Sequence, residues 1–139
     1  MVRFLHTADW QLGMPARFLG DEAAVPFATA RLDAVVAMEQ VARARACAFM
    51  LVCGDAFDSN LVGRRMVNQA ARALTAVPVP VYLLPGNHDA LDPSALYRRD
   101  AFLYSVPGNV RVLEADGVVE PTPGTEIVAA PWRSRRPTV

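Results

Sequence analysis

The stretch Val79-Pro80-Val81-Tyr82-Leu83-Leu84-Pro85-Gly86-Asn87-His88-Asp89 decides the fold of this chain. Its apolar run over residues 81–84 contains β-branched and aromatic side chains, which predicts a short buried strand. A Pro-Gly pair ends that strand, and an amide, an imidazole and a carboxylate follow directly. One interpretation of this order is a polar turn. The other is a binding site on a rigid strand end, where open α/β sheets place their ligands.

Two earlier stretches are built in the same way. A predicted strand over residues 3–6 precedes Thr7-Ala8-Asp9-Trp10-Gln11-Leu12-Gly13. A second strand, over residues 48–53, precedes Gly54-Asp55-Ala56-Phe57-Asp58-Ser59-Asn60. This second strand is apolar throughout, which is typical of a parallel strand covered on both faces. In all three places a short strand is followed directly by a polar loop.

Helical patterns separate these strands. Residues 14–24 are predicted to be a loop, and Pro26 suits the first turn of a helix that runs to about Arg45. The apolar face predicted for that helix consists of Phe27, Ala30, Ala34, Met38, Val41 and Ala42. Arg31 intrudes on this face. The stripe predicted for a second helix consists of Val67, Ala70, Ala71 and Leu74. Short strands are predicted over residues 110–113, 118–119 and 126–129.

The order strand, helix, strand, helix, strand describes two successive crossover units. Such units give parallel strands with right-handed connections. Because parallel strands end at the same edge of a sheet, the loops that carry Asp9, Asp55 and Asn87-His88 are expected to converge. The predicted fold class is therefore α/β, with a βαβαβ parallel core followed by short strands.

The composition indicates a soluble globular protein. Its 139 residues are the size of one ordinary domain, 53% of them are hydrophobic and 20% are charged. Fourteen basic and fourteen acidic residues give a net charge of zero, which argues against a generic basic nucleic-acid binder but not against a local basic patch. Cys47 and Cys53 flank one strand and favour a reduced, cytoplasmic setting. No apolar run approaches the roughly 20 residues that span a bilayer, so no membrane partner is expected.

The residue types in the three loops suggest metal chemistry. Asp and Asn oxygens with an imidazole nitrogen suit manganese, iron, zinc or magnesium. Two divalent ions can stabilise both the attacking and the leaving oxygen of an in-line displacement at phosphorus. A carboxylate placed between the ions is the natural bridge, and a nearby imidazole can protonate the leaving oxygen.

The motifs Asp9-x-Gln11, Gly54-Asp55-x-x-Asp58 and Gly86-Asn87-His88-Asp89 resemble the first three motifs of the calcineurin-like metallophosphoesterases. The flanking residues resemble the SbcD-type nuclease subunits of bacterial DNA-repair exonucleases. The resemblance covers residues 3–89 and extends less closely to residue 136. It implies the N-terminal half of a four-layer α/β/β/α sandwich and a DNA exonuclease with two divalent ions, above all Mn²⁺. The implied partners are DNA and an SbcC-like ATPase subunit, and a homodimer is compatible with it.

The resemblance also implies roles for individual residues. Asp9 would bind the first metal ion, Asp55 would bridge both ions and Asn87 would bind the second. Gln11 stands where the family has a ligating histidine, so it is the fourth candidate ligand. His88 would face the scissile phosphate as a general acid or transition-state stabiliser.

Other residues near these motifs have a structural interpretation. Asp58 and Asp89 are expected to orient the loops rather than touch metal. His6 is expected to be a hydrogen-bonded core residue rather than a ligand, and Trp10 to be packing, with stacking on a base as the alternative. The arginines that could contact a phosphate backbone are Arg64-Arg65, Arg98-Arg99 and Arg133-Arg135-Arg136. The first pair is placed best, since it starts the helix after the second polar loop.

The sequence departs from the family after the third motif. The family continues with one histidine and then a Gly-His-x-His, whereas the only histidines of this chain are His6 and His88. We therefore expect one partial nuclease domain over residues 1–139, without the C-terminal half, and no activity from the chain alone. The alternatives are a non-catalytic remnant and a small-molecule phosphatase of the same superfamily.

Overall fold

A computed structural model describes residues 1–16 and 19–135, and its main feature is a four-stranded parallel sheet. The strands, in their order across the sheet, are β1 (Phe4–Thr7), β2 (Phe49–Cys53), β3 (Val81–Leu84) and β4 (Val110–Val112). The helices are α1 (Gly20–Ala44), α2 (Arg64–Thr75) and α3 (Asp100–Leu103), and a 3₁₀ turn covers Leu96–Arg98. An antiparallel hairpin of β5 (Gly117–Thr122) and β6 (Thr125–Ala129) follows the sheet.

These elements confirm the predicted α/β class and the parallel core. Each connection moves one strand further in the same direction across the sheet, and right-handed crossovers then place their helices on one face. The hairpin covers part of the other face. The result is a helix layer, a parallel sheet and a small antiparallel sheet, as in the N-terminal half of a four-layer sandwich.

The strand residues alternate between two apolar cores, as the two-residue period of a strand requires. Met50, Val52, Val81 and Leu83 face the helices. Phe49 and Tyr82 face the hairpin, where Ile127 and Ala129 pack on them. All four residues of the predicted α2 stripe are buried, which confirms that face.

The predicted start of the first helix was wrong. Helix α1 begins at Gly20, so residues 20–24 of the predicted loop are helical, and residues 17 and 18 of that loop lie outside the described residues. Pro26 lies in the second turn, where its missing N–H removes one helical hydrogen bond. Leu19 occupies the cap position and makes no side-chain cap bond. The true start therefore lacks a capping side chain at its N-cap position.

The predicted face of α1 was also partly wrong. Ala30, Ala34 and Val41 are exposed, and of the predicted set only Ala42 is fully buried. The core-facing side is centred on Val35, which is 1% exposed, with Leu32 and Met38 packed beside it. This side includes the half-buried Arg31, so the polar residue that disturbed the pattern belongs to the inner face.

The described helices include none that is long and apolar enough to cross a membrane.

Candidate active site

The three polar loops meet at the carboxyl edge of the parallel sheet. They form an open cavity of about 220 Å³, whose wall includes Asp9, Asp55 and Asn87. The rest of the wall consists of Cys53, Gly54, Leu84, Pro85, Gly86, Ala130 and Trp132. Larger cavities of about 470 and 520 Å³ lie near the amino end of β1, and others of about 240 and 320 Å³ lie beside α2. None of these four has a carboxylate or imidazole in its wall. The chemistry therefore points to the first cavity.

The first polar loop has a strained backbone. Asp9 and Gln11 have φ angles of 55° and 45°, in the left-handed region that side chains other than glycine rarely adopt. The N–H of Asp9 donates to the carbonyl of Gly54 at 3.1 Å, and that of Gln11 to the carbonyl of Asp55 at 2.9 Å. Such strain persists where surrounding contacts hold it, and it is concentrated at functional sites.

Asp55 and Gly86 bring the second and third loops into direct contact. Asp55 is 7% exposed and has a φ of 54°. A Cβ on Gly86 would lie 2.8 Å from the Cγ of Asp55, and closer still to its Oδ1 and backbone N. Only glycine at position 86 therefore leaves room for the Asp55 carboxylate to pack against the third loop.

His88 is held by the second loop through both its backbone and its ring. Its N–H donates to Oδ1 of Asp55 at 2.9 Å, and its Nδ1 lies 2.9 Å from the carbonyl oxygen of Asp58. Because a carbonyl oxygen can only accept, Nδ1 carries a proton in this arrangement. The other ring nitrogen, Nε2, makes no hydrogen bond to the described part of the chain.

Asp89 connects the second and third loops through hydrogen bonds, as expected for a residue that orients them. It is completely buried. Its Oδ1 accepts from the N–H of Gly86 at 2.7 Å, and its Oδ2 accepts from the N–H of Phe57 at 3.1 Å and from the hydroxyl of Tyr97 at 2.6 Å. Burial raises the pKa of Asp89, while the three donated hydrogen bonds oppose that rise.

Tyr97 is a site residue that the sequence did not reveal. Its side chain is 1% exposed, and burial together with the Asp89 carboxylate raises its pKa well above the usual value. Tyr97 therefore remains a neutral donor. A buried tyrosine needs a partner for its hydroxyl, but the sequence does not indicate which residue supplies it.

The predictions for neighbouring residues had mixed outcomes. Trp10 is packing, as predicted: it is 6% exposed, and its indole N–H donates to Oγ1 of Thr7 at 2.9 Å. The prediction for His6 was wrong, because this residue is exposed. It lies on β1, a strand at the edge of the sheet. The hairpin packs on this face of the sheet, but it covers only β2, β3 and the segment after β4.

The arginines also differ among themselves. Arg98 and Arg133 pair with Glu114 and Asp116 at 3.4 and 3.0 Å. Arg99 donates to the carbonyl of Asn60 at 2.8 Å. Arg64 and Arg65 are exposed at the start of α2 and have no ion pair with the described residues. Arg136 lies outside the described residues.

The donors in the cavity are two carboxylates and one amide. These hard oxygen ligands fit a divalent ion such as Mg²⁺ or Mn²⁺. The described residues contain no group of three or more His, Cys, Asp or Glu side chains placed to hold a metal ion. Burial raises the pKa of the Cys53 thiol, which disfavours the thiolate form that binds metal ions. The two carboxylates and the amide therefore fit one hard divalent ion, and they leave few ligands for a second ion.

Two predicted site residues do not form part of the cavity wall. Gln11 contacts the second loop through its backbone, and His88 is directed by its contacts with Asp55 and Asp58. The wall also includes Trp132, which the sequence did not identify as a site residue. The roles assigned to Asp9, Gln11, Asp55 and Asn87 as ligands, and to His88 in catalysis, stay predictions.

Comparison with known protein families agrees with the fold. A protein-family model described as calcineurin-like phosphoesterase matches residues 2–130. No curated protein matches the sequence at a significant level.

Proposed function

Because this chain belongs to the calcineurin-like phosphoesterases, which are metal-dependent hydrolases of phosphoesters, we propose that it is the nuclease domain of a DNA-repair exonuclease. The observation that carries this proposal is the convergence of Asp9, Asp55 and Asn87 in one cavity at the ends of parallel strands. The flanking residues, which resemble SbcD-type nuclease subunits, support DNA as the substrate.

We assign the metal-binding role chiefly to Asp9, Asp55 and Asn87 of the cavity wall. Asp9 and Asn87 approach from opposite loops, and the buried Asp55 lies in the loop between them. Oδ1 of Asp55 accepts from His88, while Oδ2 makes no hydrogen bond to the described residues and is available to a cation. A divalent ion, above all Mn²⁺, would neutralise phosphate charge and lower the pKa of a water molecule when bound here. Gln11 would contribute a weaker neutral oxygen.

His88 is assigned the transfer of a proton. The carbonyl of Asp58 fixes Nδ1 as a donor, so the imidazolium would release its proton from Nε2 towards the leaving oxygen. Oδ1 of Asp58 lies 4.0 Å from Nδ1, so Asp58 approaches the ring with both its backbone carbonyl and its carboxylate. A positioned general acid contributes about 10²–10⁴ to the rate.

The cavity wall supplies two carboxylates and one amide as candidate metal ligands. Family members use two ions, and we propose that the second ion needs ligands beyond the carboxylates and amide found here. The expected histidines are absent from the sequence, which contains only two. We therefore expect the chain alone to be inactive or nearly so, and its partners to include DNA and an SbcC-like ATPase subunit. The two free cysteines fit a reduced, cytoplasmic setting.

The test is Mn²⁺-dependent binding of DNA ends. Fluorescence anisotropy of a labelled single-stranded oligonucleotide should rise with protein concentration when Mn²⁺ is present and should not rise with EDTA. Asp55→Asn should abolish this response, whereas Asp33→Asn, on the exposed side of α1, should not. Equal binding of the oligonucleotide with and without Mn²⁺, or no binding at all, would overturn the proposal.

Hydrolysis gives a second readout. We expect no EDTA-sensitive cleavage of bis-p-nitrophenyl phosphate by this chain above background. Robust cleavage would show that the present ligands are sufficient. A small-molecule phosphatase would instead hydrolyse phosphomonoesters such as p-nitrophenyl phosphate, and would not bind the oligonucleotide.

A further inference from the structure

The two tryptophans of this chain have different environments. Trp10 is buried and its indole N–H is hydrogen-bonded. Trp132 is 43% exposed and forms part of the wall of the cavity that contains Asp9 and Asn87. Its indole N–H has no acceptor within residues 1–16 and 19–135. Single exposed apolar side chains are common, so its position beside the acidic cavity is the informative fact.

The backbone of Trp132 is fixed although its ring is exposed. Its N–H donates to the carbonyl of Pro85 at 3.2 Å, and its carbonyl accepts from the N–H of Leu91 at 2.8 Å. These two residues lie before and after Asn87 and His88. The next residue, Arg133, pairs with Asp116 at 3.0 Å. Trp132 is therefore attached to both ends of the loop that carries two candidate site residues.

The size of the cavity limits what it can enclose. Its volume of about 220 Å³ is below the range of about 300–1,000 Å³ typical of pockets that enclose a small-molecule ligand. The cavity can receive a phosphoryl group, while the rest of a phosphoester must lie across the rim. The indole ring of Trp132 is a flat apolar surface at that rim, and the arginine that follows it in the chain, Arg133, is already paired with a carboxylate.

We propose that Trp132 stacks on the nucleobase attached to the phosphate that enters this cavity, and so selects unpaired nucleotides. This inference rests on the proposed function, which makes a phosphoester the substrate. A nucleobase is the planar group that such a substrate carries next to its phosphate. Stacking on an aromatic side chain accepts every base, but it requires a base that is not enclosed in a duplex. It contributes about 5- to 150-fold in affinity per base.

The test compares ligands with and without a base in the presence of Mn²⁺. Isothermal titration calorimetry with dAMP, dTMP and deoxyribose 5-phosphate should show that the wild-type protein prefers both nucleotides. Trp132→Leu should weaken nucleotide binding by about 5- to 150-fold and leave deoxyribose 5-phosphate binding unchanged. Trp132→Phe should be intermediate. Saturable quenching of tryptophan emission by dAMP, absent in Trp132→Phe, should report the ring contact directly.

The outcomes separate this inference from the function on which it rests. If deoxyribose 5-phosphate binds with Mn²⁺ and requires Asp55, but the nucleotides bind no more tightly, the stacking role is wrong and the metal site stands. If Trp132→Leu weakens the binding of all three ligands equally, the residue only supports the loop, and the stacking role is again overturned. Tighter binding of phosphotyrosine than of nucleotides would indicate a different aromatic substrate and overturn the choice of a nucleobase. If no phosphate ligand binds, the proposed function fails as well.

Discussion

Arg31 of α1 donates from Nη1 to the carbonyl oxygen of Trp10 at 2.7 Å. Trp10 lies between the two left-handed residues Asp9 and Gln11, so this bond holds the centre of the strained first loop. The guanidinium also lies 4.7 Å from the centre of the Phe27 ring. The polar residue that interrupts the apolar face of α1 is thus a contact between that helix and the candidate site.

Replacement of Arg31 should destabilise the protein. Arg31→Ala leaves the Trp10 carbonyl without its donor, which we expect to cost about 1–3 kcal/mol in the free energy of unfolding. Arg43→Ala is the control, because its pair with Glu39 at 2.7 Å is exposed and such helix pairs contribute about 0.3–0.5 kcal/mol. Urea denaturation of the two variants measures both values. Equal losses would show that the Arg31 bond does not support the loop.

Gly86→Ala should disrupt the contact between the second and third loops. The added Cβ would collide with the Asp55 carboxylate and backbone, so we expect a loss of about 1–3 kcal/mol in unfolding free energy. Weaker Mn²⁺ binding should accompany it, measured by calorimetry. Gly108→Ala is a matched control, since a Cβ there would meet no atom within 4 Å. A Gly86→Ala variant as stable as this control would contradict the requirement for glycine at this contact.

Tyr97→Phe removes only the hydroxyl that donates to Asp89 at 2.6 Å. A hydrogen bond to a charged group contributes about 1.5–3 kcal/mol, and we expect a loss of that size near neutral pH. The pKa of folded Tyr97 is raised, so the folded protein keeps a proton that the unfolded chain loses above about pH 10. This contribution is complete below that pH and is lost as the pH rises further.

The wild-type protein should therefore lose stability at alkaline pH more steeply than Tyr97→Phe. Thermal unfolding followed by circular dichroism from about pH 8 to pH 11 compares the two curves on either side of the ordinary tyrosine pKa. Parallel curves would show that Tyr97 ionises as easily in the folded protein as in the unfolded chain.

Asp55→Asn and His88→Ala should separate metal binding from proton transfer. Oδ2 of Asp55 is available to a cation, so we expect Asp55→Asn to lose Mn²⁺ binding in calorimetric titrations. His88 does not belong to the cavity wall, so His88→Ala should bind Mn²⁺ nearly as well as the wild type. In an active enzyme His88→Ala should lower turnover by about 10²–10⁴. Loss of metal to the same degree in both variants would refute the role given to His88.

Gln11→His should strengthen the binding of one metal ion. An imidazole is a better donor to Mn²⁺ than a neutral amide oxygen, and histidine tolerates the left-handed backbone found at this position. We expect Mn²⁺ to bind about 10–100-fold more tightly, the scale typical of changes in groups that support a metal. The measurement is calorimetry at constant pH. An unchanged titration would show that residue 11 does not contact metal.

Local sequence patterns were sufficient for much of the architecture. The bounds of β3 were predicted correctly, because a short β-branched run closed by Pro-Gly is a local signal. The α2 stripe was also correct, because its buried residues repeat at helical spacing. The convergence of Asp9, Asp55 and Asn87 followed from the order of the elements, since parallel strands end at one edge of the sheet.

Contacts between distant segments decided the remainder. Arg31 belongs to the inner face of α1 because it meets a loop 21 residues earlier in the chain. Tyr97 reaches Asp89, and Trp132 reaches the loop around Asn87, through folding of the segments after the third motif. His6 is exposed because its strand lies at the edge of the sheet. Residue spacing shows which side of an element is apolar, but only the tertiary packing determines which polar groups meet across elements.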